Sequence, residues 1–278
     1  MIVFLKNPLF ALFLFAPLAV AQTTIDLSKP VSQSLKPDIL YWPMDGGTLD
    51  VPVPLEVDDA SGNGFTGLLQ AGKIHPAPVY DLGKFDTALK FHGLTPPVQN
   101  IDGQERNLNP SPSVVWMIRD TPGFSNANKF ELAGKSFTAG LWIRIEKISP
   151  KYQSVLLMNW GTSPESQWSL NLVKNARDQW DMRVLRTKSV ETDVINDGNW
   201  HHLAFSIEEK EGGIAVNYWL DGVRLGAQVT TPTALVESFI SADQIFRVGE
   251  RNVANFSTGF AGMIDDVFVT SGVLSFHP

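Results

Sequence analysis

The sequence predicts an all-β fold in which two antiparallel sheets pack face to face. The first observation is that many short segments alternate apolar and polar side chains with a period of two. The second is that turn-forming residues separate these segments at near-regular spacing. The third is that no helical pattern of 10–15 residues lies between the segments, which excludes an α/β fold. Strands with one apolar face are typical of a two-sheet sandwich.

The clearest strand covers residues 136–146. Its apolar face and its mixed face are separated by strict alternation. The apolar face consists of Phe137, Ala139, Leu141, Ile143 and Ile145, and the mixed face of Thr138, Trp142, Arg144 and Glu146.

Further strands are predicted towards the C-terminus. Residues 168–172, 203–207 and 214–220 alternate in the same way, and the last run meets Asp221-Gly222. This dipeptide fits a type I′ hairpin turn, so residues 223–225 are expected to return alongside 214–220. Residues 260–268 suggest a closing strand.

The two ends of the chain differ in character. Residues 1–21 have a positive Lys6, an apolar run broken by Pro17 and the small-residue site Ala19-Val20-Ala21. This pattern predicts a cleaved signal peptide, and the alternative is an uncleaved anchor. Residues 22–38 are polar with two Lys-Pro pairs and are interpreted as a flexible leader. The folded domain is expected over 39–278, interrupted by a Pro-, Asn- and Ser-rich excursion at 94–135.

Composition limits the possible functions. The chain has 278 residues, a formal charge of −7 and no cysteine. Without cysteine there is no disulfide, no thiol catalysis and no cysteine-ligated zinc. A nucleic-acid partner is not expected, because the sequence shows no basic patch. No later stretch is apolar and long enough to span a membrane, so we expect a secreted, periplasmic or cell-surface protein.

Four segments in this order resemble the laminin G-like family of bacterial exported proteins. The first comprises Tyr41-Trp42-Pro43-Met44-Asp45 and Asp59 to Gly67, the second Gly83 to Gly93, and the third Ser136 to Ile143. The fourth begins at Trp200-His201-His202, continues through Asp221-Gly222 and ends with Gly262 to Val267. The resemblance implies a concanavalin A-like jelly roll. Asp86 stands where the family usually has Gly, and His92 where it often has Asp.

The best candidate for a metal site is a structural Ca²⁺ ion. Calcium takes six to eight oxygen ligands, and Asp59 and Asn63 lie in a glycine-rich turn. The resemblance places the first and last strands side by side, which would bring Asp265 and Asp266 near that turn. Alternation allows at most one of the two to face the ion directly. The alternative is that Asp59 and Asn63 only shape the turn.

Aromatic side chains could form a sugar-binding surface, because sugar rings stack on flat aromatic faces. The candidate ligand-binding residues are Trp142, Arg144, Trp160, Trp180 and Trp219. The alternative for each tryptophan is that it fills the sandwich core.

Two further motifs are expected to be structural. His201 and His202 are adjacent in a strand and point to opposite faces, so they cannot share one ion. Glu191-Thr192-Asp193-Val194-Ile195 resembles the Glu-x-Asp-x-Glu strand of laminarinase-like hydrolases, but Ile195 replaces the last acid. We identify no catalytic set.

The leading hypothesis is therefore an exported, non-catalytic module that binds carbohydrate or mediates adhesion. The alternative is a protein-interaction or structural component of a cell-envelope assembly, since a fold does not fix a function. A polysaccharide-cleaving enzyme is a third hypothesis, with Glu191, Asp193, Glu146 and Arg144 as the groups to test. The expected partner is a glycan or an envelope protein.

Overall fold

A computed structural model of the protein describes most of the chain in separate ranges. These are residues 23–46, 56–70, 78–92, 98–101, 104–107, 114–117, 135–145, 154–160, 168–174, 180–184, 190–192, 195–210, 213–230, 245–253 and 256–278. Within them, no helix is long and apolar enough to cross a membrane. The predicted signal peptide lies outside the described residues.

The first sheet contains eight strands. In spatial order they are β17 (Val223–Thr230), β16 (Gly213–Leu220), β15 (Trp200–Lys210), β10 (Phe137–Ile145), β21 (Ala261–Ser271), β6 (Thr87–His92) and β5 (Val79–Leu82), and β2 (Leu40–Trp42) also pairs with β21. All of these pairs are antiparallel.

The second sheet also contains eight antiparallel strands. In spatial order they are β14 (Val190–Glu191), β13 (Trp180–Val184), β12 (Trp168–Lys174), β11 (Ser154–Trp160), β18 (Ile245–Val248), β9 (Val114–Met117), β4 (Gly67–Gln70) and β3 (Glu56–Val57). Two hairpins stand apart from both sheets: β7 (Val98–Ile101) with β8 (Gln104–Asn107), and β19 (Glu250–Val253) with β20 (Phe256–Gly259).

The inter-sheet core fills the space between the two sheets. The apolar face predicted for β10 lies in it, with all five of its residues almost fully buried. Aromatic rings join the layers: Trp168 of the second sheet lies 5.5 Å from Phe137 and 5.4 Å from Phe205 of the first, between ring centroids. The predicted all-β, two-sheet antiparallel sandwich is thus confirmed.

The hairpin predicted at Asp221-Gly222 joins β16 to β17. Both residues have positive φ, 49° and 80°, which is the conformation that a type I′ turn requires. Leu220 pairs directly with Val223 across the turn.

The N-terminal segment differs from the flexible leader predicted for residues 22–38. It contains β1 (Thr24–Asp26), which pairs in parallel with β22 (Ser275–His277), and the short helix α1 (Val31–Ser34). Ile25, Leu27 and Val31 are buried. The segment packs on the sandwich through these three apolar side chains.

These buried residues belong to a second cluster, which we call the outer cluster. It lies on the side of the first sheet that faces away from the inter-sheet core. Its members are Ile25, Leu27, Val31, Tyr41, Trp142, Ala204, Trp219, Phe268, Leu274 and Phe276. Both ends of the folded chain therefore cover the same sheet face.

The predicted excursion at 94–135 is described only in part. Its described residues form the β7–β8 hairpin and strand β9, and β9 lies within the second sheet between β4 and β18. Part of the excursion is thus a strand of the second sheet, because β9 pairs with strands that are distant in sequence.

Candidate functional site

The residues predicted to bind calcium make hydrogen bonds within the protein. Asp59 accepts bonds from the backbone nitrogens of Tyr41 (3.0 Å), Ser61 (3.0 Å) and Phe65 (2.9 Å), and from the Ser61 hydroxyl (2.8 Å). The Asn63 amide nitrogen donates to the carbonyl oxygens of Asp38 and Ile39. Both residues shape the turn and attach it to β2.

Asp266 holds the N-terminal segment in place. Its carboxylate accepts a 2.6 Å bond from the Tyr41 hydroxyl and a 2.9 Å bond from the Val31 backbone nitrogen. Burial raises the pKa of Asp266 to about 6 although these two bonds favour the ionised form. The connection between the ends of the chain is thus made by direct hydrogen bonds.

Asp265 lies in a different environment from Asp266. One oxygen accepts the backbone nitrogens of Lys84 (2.8 Å) and Phe85 (3.0 Å). The other oxygen is buried and has no partner among the described residues. Burial raises the pKa of Asp265 to about 8, so its neutral form is favoured near neutral pH.

The four predicted ligands do not converge on one ion. Asp59 meets the backbone nitrogen of Tyr41, whereas Asp266 meets the hydroxyl at the opposite end of the same residue. In the described part of the chain, no three His, Asp or Glu side chains are placed to hold a metal. The donor pattern therefore does not fit a calcium ion at these residues.

Three of the four candidate tryptophans are buried, as the alternative in which they fill a core requires. Trp180 is 6% exposed in the inter-sheet core, and Trp142 and Trp219 are 5% and 4% exposed in the outer cluster. The reason is that residues distant in sequence cover them. Trp160 belongs to β11, and its side chain is outside the described residues.

Lys84, Phe85 and His202 surround Trp142. The Lys84 ammonium lies 4.4 Å from the indole centroid, and the His202 ring centroid lies 5.3 Å away. The Arg144 guanidinium lies 5.5 Å from the centroid of the Trp200 ring, and its Nη2 donates to the Met263 sulfur at 2.7 Å. These contacts leave Trp142 5% exposed.

The two adjacent histidines do point to different surroundings. His201 lies between Asp221 (Nδ1 to Oδ2, 2.7 Å) and Asp197 (Nε2 to Oδ1, 3.0 Å). His202 is 1% exposed beside Trp142, and burial lowers its pKa to about 3. They cannot share one ion, as the alternation predicts.

Two of the four residues considered for hydrolysis, Glu191 and Arg144, lie in the described part of the chain. Glu191 is exposed in β14 at the end of the second sheet, and Ile195 is 1% exposed in the inter-sheet core. Asp193 and Glu146 lie outside the described residues.

A groove on the outer face of the first sheet is the best candidate site. Its volume is about 820 Å³, within the usual range for a small-molecule site. It runs beside the outer cluster, across β17, β16 and β15 to the C-terminal segment. Its lining residues are Thr23, Ser136, Glu208, Asn217, Trp219, Gly222, Arg224, Ser271, Gly272, Val273, Leu274, Ser275 and Phe276.

Strand alternation explains the chemistry of the groove. In β16, Val216 and Tyr218 point into the inter-sheet core, so Asn217 and Trp219 point outwards. In β15, Ile207 points inwards and Glu208 outwards. The groove therefore presents the carboxylate of Glu208 and the guanidinium of Arg224 to a polar ligand, beside the buried Asn217 and Trp219.

Of the groove residues, only Trp219 is among the predicted ligand-binding residues. The wall made by residues 271–276 is distant in sequence from β16 and β17. No local signal links those segments.

The fold and this groove define a lectin-like β-sandwich. Residues 121–277, more than half of the chain, match the family Laminin_G_3, described as the concanavalin A-like lectin/glucanases superfamily. The chain belongs to this family, as the four resembling segments predict. The family description covers both lectins and glucanases.

Two solved structures are similar to the chain at low sequence identity. No curated protein matches the sequence. The botulinum neurotoxin type G receptor-binding domain is 11% identical with a TM-score of 0.46, covering 84% of this chain and 47% of its own. The Ruminococcus gnavus IT-sialidase CBM40 bound to α2,3-sialyllactose is 14% identical with a TM-score of 0.41, covering 57% and 85%. The chain thus spans about half the length of the neurotoxin domain.

Proposed function

We propose that this chain is an exported carbohydrate-binding module that holds a glycan in the groove on the outer face of the first sheet. The observation that carries the proposal is the lining of that groove. Glu208, Arg224 and the serines of the wall supply hydrogen-bonding groups for a sugar, and Trp219, which is 4% exposed, borders the groove. Export follows from the predicted signal peptide over residues 1–21.

Binding without hydrolysis is the better interpretation of the groove. Glycoside hydrolysis usually requires two carboxyl groups facing each other across the scissile bond. Among the described residues, Glu208 is the one carboxylic side chain that lines the groove, and its Oε1 is 2.5 Å from the Lys210 ammonium. This pairing favours a structural or ligand-orienting carboxylate over a general acid.

The proposed glycan site does not depend on calcium. The carboxylates predicted as calcium ligands hold the turn after β3 and the N-terminal segment by direct hydrogen bonds. None of the four predicted calcium ligands, Asp59, Asn63, Asp265 and Asp266, lines the groove.

Retention on polysaccharides tests the proposal. Residues 22–278 are passed over immobilised neutral and acidic polysaccharides and compared with Ser271→Trp, whose indole would fill the groove from its exposed rim. We expect the protein to be retained selectively and the variant to lose at least about 10-fold in affinity, or about 1.4 kcal/mol.

Asn196→Trp is the matched control, because Asn196 is exposed and does not line the groove. It should bind like the unchanged protein. Equal retention of both tryptophan variants would place glycan binding elsewhere on the molecule and contradict the proposed site.

A protein partner is the second candidate function. Leu82 and Val223 are 64% and 59% exposed, and they lie on β5 and β17, the two outermost strands of the first sheet. Exposed edge strands are templates for pairing with another chain. Capture of one envelope protein that persists in Ser271→Trp and is lost in Val223→Lys would favour this function.

A further inference from the structure

Among the described residues, two ionisable side chains line the groove, and their environments differ. Glu208 is paired with Lys210. Arg224 is exposed and has no carboxylate within ion-pairing distance among the described residues. The groove thus presents a positive charge that the described chain does not neutralise, although the protein as a whole is acidic.

Arg224 is held in position by a buried amide. Its Nη2 donates to Oδ1 of Asn217, which is 2% exposed. The Asn217 amide nitrogen in turn donates to the Ser206 hydroxyl at 3.0 Å, and Ser206 is fully buried. Because one guanidinium nitrogen is fixed in this way, its remaining N–H groups have a restricted direction.

The polar row continues to the wall of the groove. Ser206 pairs in register with Thr138 of β10. The Thr138 hydroxyl donates to the Gly272 carbonyl oxygen at 2.8 Å and accepts the Leu274 nitrogen at 3.1 Å. Two polar contacts therefore fix the C-terminal wall beside the sheet that carries Arg224, so the groove is a built feature of the fold.

Trp219 completes the arrangement. It is the direct cross-strand partner of Arg224 on the outward face, and both line the groove. Cross-strand partners have Cβ atoms about 4.5–5.5 Å apart. A ring that contacts the indole edge would therefore have a substituent within reach of the guanidinium.

We propose that Arg224 recognises the carboxylate of an acidic sugar, so that the ligand of the groove is a uronate-containing glycan. This inference rests on the proposed function. A guanidinium presents parallel N–H donors that match the two oxygens of a carboxylate, and such charge-assisted pairs are stronger than neutral hydrogen bonds. A neutral hexose would bring no counter-charge to Arg224. The sugar ring lies beside the exposed edge of Trp219, and its hydroxyls bond to Glu208 and the serines of the wall.

A matched pair of ligands isolates the carboxylate. The probes are polygalacturonate, alginate and hyaluronan, each compared with the same polymer after its carboxyl groups have been reduced to alcohols. We expect one acidic polymer to bind at least about 10-fold more tightly than its reduced form. The preference should weaken as NaCl is raised from about 50 to about 500 mM, because salt screens exposed charges.

A matched pair of variants isolates Arg224. Arg224→Gln removes the charge from an exposed edge-strand position, and it should bind the acidic and reduced polymers equally. Arg144→Gln removes a charge from the same sheet but outside the groove lining, and it should keep the preference. Unchanged thermal unfolding of Arg224→Gln would show that the fold is intact.

The outcomes separate this inference from the function on which it rests. Binding of neutral polymers that is lost in Ser271→Trp but unaffected in Arg224→Gln would overturn the role of Arg224 and leave the glycan site standing. Equal binding of polyglutamate and the uronate polymer would overturn the sugar specificity. Retention on no polysaccharide would overturn both proposals.

Discussion

At the scale of single residues, His201 links the start of β15 to the turn between β16 and β17. Its two ring nitrogens meet Asp221 and Asp197, and Asp221 Oδ1 also accepts the His202 backbone nitrogen at 2.8 Å. The Asp221 hydrogen bond raises the pKa of His201, and Asp197 acts in the same direction against the cost of burial. The imidazolium therefore stabilises the turn between β16 and β17.

This pair of contacts predicts a pH dependence of stability. Because the pKa of His201 is higher in the folded than in the unfolded chain, its contribution is fully present below the unfolded value of about 6.5. The contribution is lost as pH rises through the higher folded pKa. We expect His201→Gln to lower the free energy of unfolding more at pH 5.5 than at pH 8.5, measured by urea denaturation. His277→Gln is the control, and the same loss at both pH values would contradict the prediction.

Asp266, one of the residues predicted to hold a metal, forms a buried hydrogen-bonded pair with Tyr41. Desolvation of the phenol and the neighbouring Asp266 charge raise the pKa of Tyr41, so the phenol remains a proton donor to the carboxylate at neutral pH. A carboxylate on a buried face needs such a partner because its desolvation is costly.

At the scale of elements, the terminal strands β1 and β22 are structural parts of the sandwich. They pair with each other and cover Trp142, Phe268 and Trp219 in the outer cluster. Phe276 of β22 lies 4.9 Å from the His202 ring and 5.4 Å from the Trp219 ring. Without these strands, the apolar side of the first sheet would be exposed to water.

The packing of β1 can be measured with one pair of substitutions. Ile25 is 1% exposed, so Ile25→Ala should lower the free energy of unfolding by about 2–4 kcal/mol through lost burial and a new cavity. Its neighbour Thr24 is exposed, and Thr24→Ala should change stability by less than about 0.5 kcal/mol. Chemical denaturation measures both. Equal, small effects would mean that β1 does not pack on the sheet in solution.

At the scale of the whole molecule, direct hydrogen bonds join the two ends of the chain to the sandwich. Asp59 fixes the turn that follows β3, and Asp266 fixes α1 and β2 against β21. These are the contacts for which the sequence predicts a calcium ion.

The structure therefore predicts that a chelator does not alter stability. The midpoint of thermal unfolding should shift by less than about 1 °C between 1 mM calcium and excess EDTA, because the Asp59 oxygens already accept four protein hydrogen bonds. Magnesium in place of calcium is the control for ionic strength. A fall of more than about 5 °C in EDTA alone would show that a structural metal is present.

Whether a feature can be predicted from the sequence depends on how far apart in the chain its interacting residues lie. Three local features could be predicted, and the structure confirms them. They are the inward face of β10, the Asp221-Gly222 turn and the opposite directions of His201 and His202. Each follows from neighbours within a few residues, since the strand period and the turn conformation are local properties.

The outward face of the first sheet could not be predicted in this way. Trp142 and Trp219 alternate as solvent-facing residues should, yet both are buried because β1 and β22 cover them. The pairing of Thr24 with Ser275 joins residues 251 positions apart. No local pattern encodes such a contact.

The sequence by itself determined the sandwich, the family and the sides of the strands, because alternation decides which side chains leave water. Only the tertiary structure decided that the N-terminal segment is packed and that the predicted metal ligands hydrogen-bond within the protein. It also decided that Arg224, Asn217 and Trp219 share a groove with residues 271–276. Those features arise where distant strands meet, and the free energy of burying their surfaces together exists only once the chain has folded.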